Sequence, residues 1–109
     1  MKLDDFWAKL VKKRDKCCIL CGTDKNLQAH HIISRIHNKT RWVLDNGVTL
    51  CSNCHNDYHS VDKNKLNNHI GKEKIAELKE LSIGIYKEKK EYTFEKLKAE
   101  ARINYNLEL

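Results

Sequence analysis

Two stretches decide the fold: Cys18-Ile-Leu-Cys21-Gly22, and Thr49-Leu-Cys51-Ser-Asn-Cys54-His55-Asn-Asp-Tyr-His59. Each carries two cysteines three positions apart, and two such pairs brought together supply the four thiolates of a closed tetrahedral zinc site at Cys18, Cys21, Cys51 and Cys54. Residues 22–50 separate the pairs, more than the roughly 15–20 residues usual in a zinc ribbon. A hairpin with a long loop is therefore expected between the two half-sites. Cys17 offers an alternative CxxxC arrangement, but the matching pair at Cys51 and Cys54 favours Cys18, which leaves Cys17 as a small buried hydrophobe.

Working outward, Leu3, Phe6, Trp7, Leu10 and Val11 recur at helical spacing and predict an amphipathic helix over 3–14. The segments LQAHHII (27–33) and VLDNGVTLC (43–51) predict two antiparallel strands joined by a polar loop from Ser34 to about Arg41. Ser52 is positioned to cap a helix carrying Cys54, His55, Tyr58 and His59, which the polar run 62–69 would end. Ile75, Leu78 and Leu81 predict another helix. Phe94, Leu97, Ala101 and Tyr105 predict a last one capped by Thr93, after a solvated linker at Lys87–Glu91. The expected class is α+β.

The chain has 109 residues, the size of one domain, with no room for a second catalytic one. With 33% charged residues and 7% aromatic, its core is thin enough for a metal staple to matter. The N-terminal MKLDDFWAKL lacks the apolar run of a secretory signal and no segment reaches transmembrane length, so a reducing cytoplasm and no membrane partner are expected. There, paired CxxC motifs bind metal or do redox chemistry more often than they form disulfides. A net charge of +6 favours a polyanionic partner.

Four histidines stand near the cysteines. His30 and His31 are adjacent, so one strand face cannot hold both unless the strand ends or is bulged there, and a strand end fits that need. His55 and His59 are four apart on a helix, on one face and within reach of one ion. His37 and His69 lack such spacing and read as solvent-exposed. Trp7 and Trp42 read as packing residues. Arg35 and Arg41, in or beside the loop, are candidate phosphate clamps.

His31, Asn46 and His55, with the flanking LCSNCH, resemble the HNH motif of ββα-metal endonucleases over about residues 17–60. The intervals from His31 to Asn46, His55 and His59 resemble those of the bacterial DNase colicins, and the four-cysteine knuckle resembles the phage and McrA-like branches. The resemblance implies a ββα-metal core flanked by an N-terminal helix and a C-terminal helical extension over about 66–109. It implies His31 as general base, His30, His55 and His59 as ligands of one catalytic divalent ion, and Asn46 as a loop anchor. The activity implied is hydrolysis of DNA to 5′-phosphate and 3′-hydroxyl ends. An all-imidazole ligand set suits Mn, Ni, Co or Zn better than Mg. The second half, from HSVDKNKLNNHIGKEKIAELKEL to EYTFEKLKAEARINYN, is similar to the C-terminal part of the lambdoid NinG/Rap recombination nucleases. That likeness implies branched recombination DNA, a phage or prophage setting and a homodimer. It departs at His55, where those proteins carry Asn, and at the double His. The rival reading is a non-catalytic zinc-finger module that binds nucleic acid. His31 separates the two, because a binding module has no use for an unliganded imidazole beside a metal pair.

Overall fold

The computed structural model describes residues 2–108. Six helices surround a two-stranded antiparallel sheet: α1 (Leu3–Asp15), β1 (Leu27–His31), α2 (Asn38–Arg41), β2 (Gly47–Cys51), α3 (Ser52–Ser60), α4 (Asn64–Ile70), α5 (Lys72–Ser82) and α6 (Lys90–Tyr105). The class is α+β, as expected. No helix among the described residues is long and apolar enough to cross a membrane.

The register of the two strands distributes the chemistry. Gln28 pairs with Leu50, Ala29 with Thr49, His30 with Val48 and His31 with Gly47. Opposed residues share a face and neighbours along a strand alternate, so Gln28, His30, Val48 and Leu50 lie on one side, and Ala29, His31, Gly47 and Thr49 on the other. The second side receives α1, whose Leu3, Trp7, Leu10 and Val11 are buried with Trp42, Leu44, Leu97 and Ala101. Thr49 Oγ1 donates to the Val11 carbonyl at 3.3 Å. At Gly47 the approach is too close for a side chain: an added Cβ would lie 2.5 Å from the Trp7 ring and 2.6 Å from Val11. The first side receives α3 and α4, where Leu66 joins Cys18, Leu50 and Cys51 in a second apolar cluster.

The loop between the strands is more ordered than its sequence suggests. Residues 43–46, expected to extend β2, instead pass through a 3₁₀ turn at Leu44–Asn46. Glu100 of α6 forces this by accepting the N–H groups of Leu44 (2.8 Å) and Asp45 (3.2 Å). Arg14, at the end of α1, donates to the carbonyls of Leu44 (2.8 Å) and Gly47 (2.6 Å). The turn is thereby fastened from both terminal helices.

Other expectations are corrected. The helix that carries Cys54 is capped by Cys51, whose Sγ accepts the Cys54 N–H at 3.4 Å, while Ser52 Oγ donates to the Asn26 carbonyl instead. The polar run 62–69 is no mere helix stop but forms most of α4. Its Leu66 and Ile70, one turn apart, dock on the zinc-side cluster, and Asp62 Oδ1 accepts the Asn64 N–H at 2.8 Å. Helix α6 starts at Lys90, ahead of Thr93, so Thr93 is a buried first-turn residue rather than the cap. Lys87–Glu91, expected as a solvated linker, is largely exposed, but its last two residues already belong to α6, and just before it Tyr86 packs on Trp42 with ring centroids 5.4 Å apart. Leu81 is exposed although Leu78 of the same helix is buried, and Cys17 is half-buried rather than buried.

Candidate metal centres and catalytic cleft

The four cysteines converge as the spacing predicts. Cys18 and Cys21 come from the knuckle after α1, Cys51 from the end of β2 and Cys54 from the first turn of α3, with all four sulfurs within 4.8 Å of one another. The Cys21 and Cys51 sulfurs are 3.6 Å apart, close to the roughly 3.8 Å set by a tetrahedral zinc with Zn–S bonds of about 2.3 Å. Burial disfavours ionisation of Cys18, but the backbone N–H groups of Cys21, Cys51 and Leu20 aimed at its sulfur outweigh that and hold its pKa at about 6. A sulfur so placed is a ready thiolate ligand.

The second cluster lies past the other end of the zinc-side face. His30, one residue from the end of β1, faces α3, where His55 and His59 stand one turn apart. Ligand atoms of the three lie within 4.8 Å. His30 Nδ1 is 3.3 Å and His59 Nε2 3.1 Å from His55 Nε2. Donors sharing a tetrahedral ion with metal–nitrogen bonds of about 2.0–2.1 Å sit roughly 3.3 Å apart, so the distances fit a cation. The protonation states fit as well. Burial, with His55 and His59 adding to it, pushes His30 down to about 4, and burial followed by the charge of His59 lowers His55. His30 Nε2 is buried with no hydrogen-bond partner, which leaves this ring free of any protein contact that would compete for its other nitrogen.

His31 ends the strand with its ring on the other face, stacked on Trp7 at a centroid distance of 3.9 Å and an interplanar angle of 10°. Its Nε2 lies 2.9 Å from the Arg41 carbonyl. A carbonyl only accepts, so Nε2 carries the proton and the lone pair of the neutral ring is on Nδ1. Burial lowers the His31 pKa below the ordinary imidazole range. Because the strand stops here, both adjacent histidines line one cleft of about 410 Å³, together with Ser34, Arg35, His55, Tyr58, His59 and Lys63.

Asn46 is wholly buried and closes the loop that carries this arrangement. Its Oδ1 accepts the Ile33 N–H at 2.8 Å, while Nδ2 donates to the carbonyls of Ile33 (3.1 Å) and Thr40 (3.2 Å). Both anchor points are near His31, one just beyond it and one beside Arg41. Of the two arginines, Arg35 lines the cleft. Arg41 is bound to Asp4 of α1 at 2.9 and 2.6 Å, and Asp4 also accepts the Trp42 indole N–H at 2.9 Å. His37 and His69 are exposed.

Sequence reasoning passed over Lys63 and Tyr58 in the cleft, and Gln28, whose side chain meets His55. Tyr58 packs edge-on against His30 at 4.6 Å. Its position between His55 and His59 in the helical motif was a usable signal. Lys63 and Gln28 belong to no motif, and only the tertiary structure brings them to the site. The cleft is also cationic by omission, since none of its lining residues is a carboxylate.

Residues 18–61 match the family model of the HNH endonucleases. No curated protein and no solved structure matches the chain. The family match and the four-cysteine cluster together support the HNH family for this segment, and with it nuclease activity in general, divalent metal and DNA as partner.

Proposed function

We propose that the chain is a metal-dependent DNA endonuclease that hydrolyses phosphodiester bonds with one divalent ion and leaves 5′-phosphate and 3′-hydroxyl ends. The observation that carries the reading is His31: a neutral imidazole fixed through Nε2, with Nδ1 unprotonated, in the same cleft as three imidazoles that form a cation site.

In this reading His31 takes the proton of the attacking water. Its ring cannot swing, because Trp7 lies flat against it and the Arg41 carbonyl holds its far nitrogen. Asn46 keeps the loop that bears that carbonyl closed. Arg35 and Lys63 hold the phosphate by charge from the cleft walls. His30, His55 and His59 hold the divalent ion, which supplies charge stabilisation to the phosphate and to the leaving 3′ oxygen. Neutral imidazoles without a carboxylate favour Mn, Ni, Co or Zn over Mg.

The finer proposals rest on the C-terminal likeness: branched recombination DNA as substrate, a phage or prophage setting in the host cytoplasm, and action as a homodimer that cuts two strands symmetrically. The test is a cleavage assay of chelator-treated, zinc-replete protein on plasmid and on four-way-junction DNA, with each divalent ion restored in turn. Metal-dependent cutting is expected, faster on junctions than on linear duplex of equal length. DNA binding without cutting under every ion would establish the zinc-finger module instead.

A further inference from the structure

We propose that Gln28 is a positioning residue for the cation site, acting through His55. The proposal rests on the cation-site reading above and adds a group outside the ligand set.

Gln28 is on β1 two residues before His30, so strand alternation puts both on the face that receives α3. From there its Oε1 lies 2.5 Å from His55 Nδ1. A carbonyl oxygen accepts, so this contact puts the His55 proton on Nδ1 and leaves the lone pair on Nε2. Nε2 is the nitrogen that faces His30 Nδ1 and His59 Nε2. One amide thus selects the tautomer that can bind a cation and sets the angle of the ring that presents it. Among the described residues, no protein group does the same for His30, whose second nitrogen has no partner, and His59 is exposed. His55 is also central to the trio, since its Nε2 meets both His30 Nδ1 and His59 Nε2. An error in its orientation therefore misplaces the donor set at its middle.

The neutral amide has a second consequence. A carboxylate in its place would draw the Nδ1 proton more strongly and make Nε2 a better donor, tightening the site. Gln28 orients without that added charge, so an ion held here keeps its full positive charge for the phosphate.

The test uses the full chain carrying one equivalent of zinc, which the four cysteines take first, and washed free of other metal, with nickel(II) alone as probe. Calorimetry should give one further equivalent of nickel in the native protein. Gln28→Ala should bind it about ten- to a hundredfold more weakly, and Gln28→Glu at least as tightly as the native chain. The side chain of Gln28 is exposed, so the unliganded thermal midpoints of all three should agree. Nitrogen-15 imidazole spectra should show His55 as the Nδ1–H tautomer in the native chain and a loss of that preference in Gln28→Ala. Nickel affinities within twofold for native and Gln28→Ala, or an Nε2–H tautomer in the native chain, would overturn the role of Gln28. Native protein that takes up no more nickel than His55→Ala would instead overturn the cation site itself, and the proposal with it.

Discussion

The two clusters of ligating side chains share helix α3 and differ in what surrounds them. The cysteines gather where the hairpin meets the apolar cluster of Leu50 and Leu66, with Cys18 and Cys51 buried, Cys54 half-buried and Cys21 exposed. All four donor positions of an ion there are filled by the chain. The histidines supply three donors at the rim of an open cleft, graded from buried His30 through half-buried His55 to exposed His59. A closed donor set can only hold structure together, whereas an open one leaves a coordination position for substrate. The distinction is one of donor count and of the cleft beside the histidines, and under the proposed function folding falls to one cluster and chemistry to the other.

The largest expected effect tests the closed cluster. Cys51→Ser removes a thiolate and the sulfur that caps α3, and structural zinc in small domains contributes an apparent 10–16 kcal/mol, about the whole stability of such a fold. The variant is expected to lose zinc by elemental analysis and to lack cooperative unfolding by circular dichroism. A folded, zinc-free Cys51→Ser chain would erase the contrast between the clusters.

Next come the histidines, where effects on activity should separate from effects on fold. His31→Ala is expected to lower cleavage by about 10²–10⁴-fold, the usual contribution of a general base, while nickel binding holds and the chain still unfolds cooperatively, at a midpoint lowered by the lost Trp7 stack. His55→Ala is expected to lose the ion and keep the fold. Calorimetry in which His31→Ala lost the ion and His55→Ala kept it would reverse the two roles.

Much of this arrangement was legible in the sequence, because the spacing of the cysteine pairs and the helical interval of His55 and His59 are local properties. The adjacency of His30 and His31 called for a strand end or a bulge, and β1 ends at His31. What the sequence hid is set by distant partners. Val43–Asn46 has strand-like composition, yet Glu100, over fifty positions away, pulls it into a 3₁₀ turn. The polar run at 62–69 folds as a helix on the strength of two apolar contacts, too few to show a period. Arg41, read as free to clamp phosphate, is tied to Asp4, an acid whose only local role is at a helix start.

A smaller effect should come from Asn46→Ala. It frees a buried N–H and two carbonyls around the loop, and each buried polar group left unpaired costs about 1–3 kcal/mol. Urea unfolding should show a loss of a few kcal/mol with both metals still bound. Cleavage should fall further than the folded fraction explains, because Thr40 adjoins the residue whose carbonyl holds His31. Activity that tracked the folded fraction alone would make Asn46 a purely structural residue.

The smallest effect on stability belongs to Asp4, and it sharpens the comparison by asking how far the open site depends on its scaffold. The Arg41 hydrogen bond, opposed by burial and aided by the Trp42 indole, holds the Asp4 carboxyl below its ordinary range. A carboxylate lowered in the folded state adds stability that is present above its unfolded pKa of 3.8 and lost as pH falls through the folded value. The side chain is 48% exposed, so screening by solvent limits the contribution to about 1 kcal/mol or less. Asp4→Asn should therefore unfold at nearly the native urea midpoint at pH 7, and the small difference should shrink as pH falls below 3.8 and vanish only below the lowered folded value. Its effect on cleavage should be larger than that on stability. Asp4 fixes the Arg41 side chain, Arg41 offers the carbonyl that fixes His31, and a base held less firmly spends less time in line with the scissile bond. A several-fold fall in kcat with an unchanged KM and unchanged nickel affinity is expected. Equal kcat for the two proteins at pH 7 would show that Trp7 stacking alone suffices to orient His31.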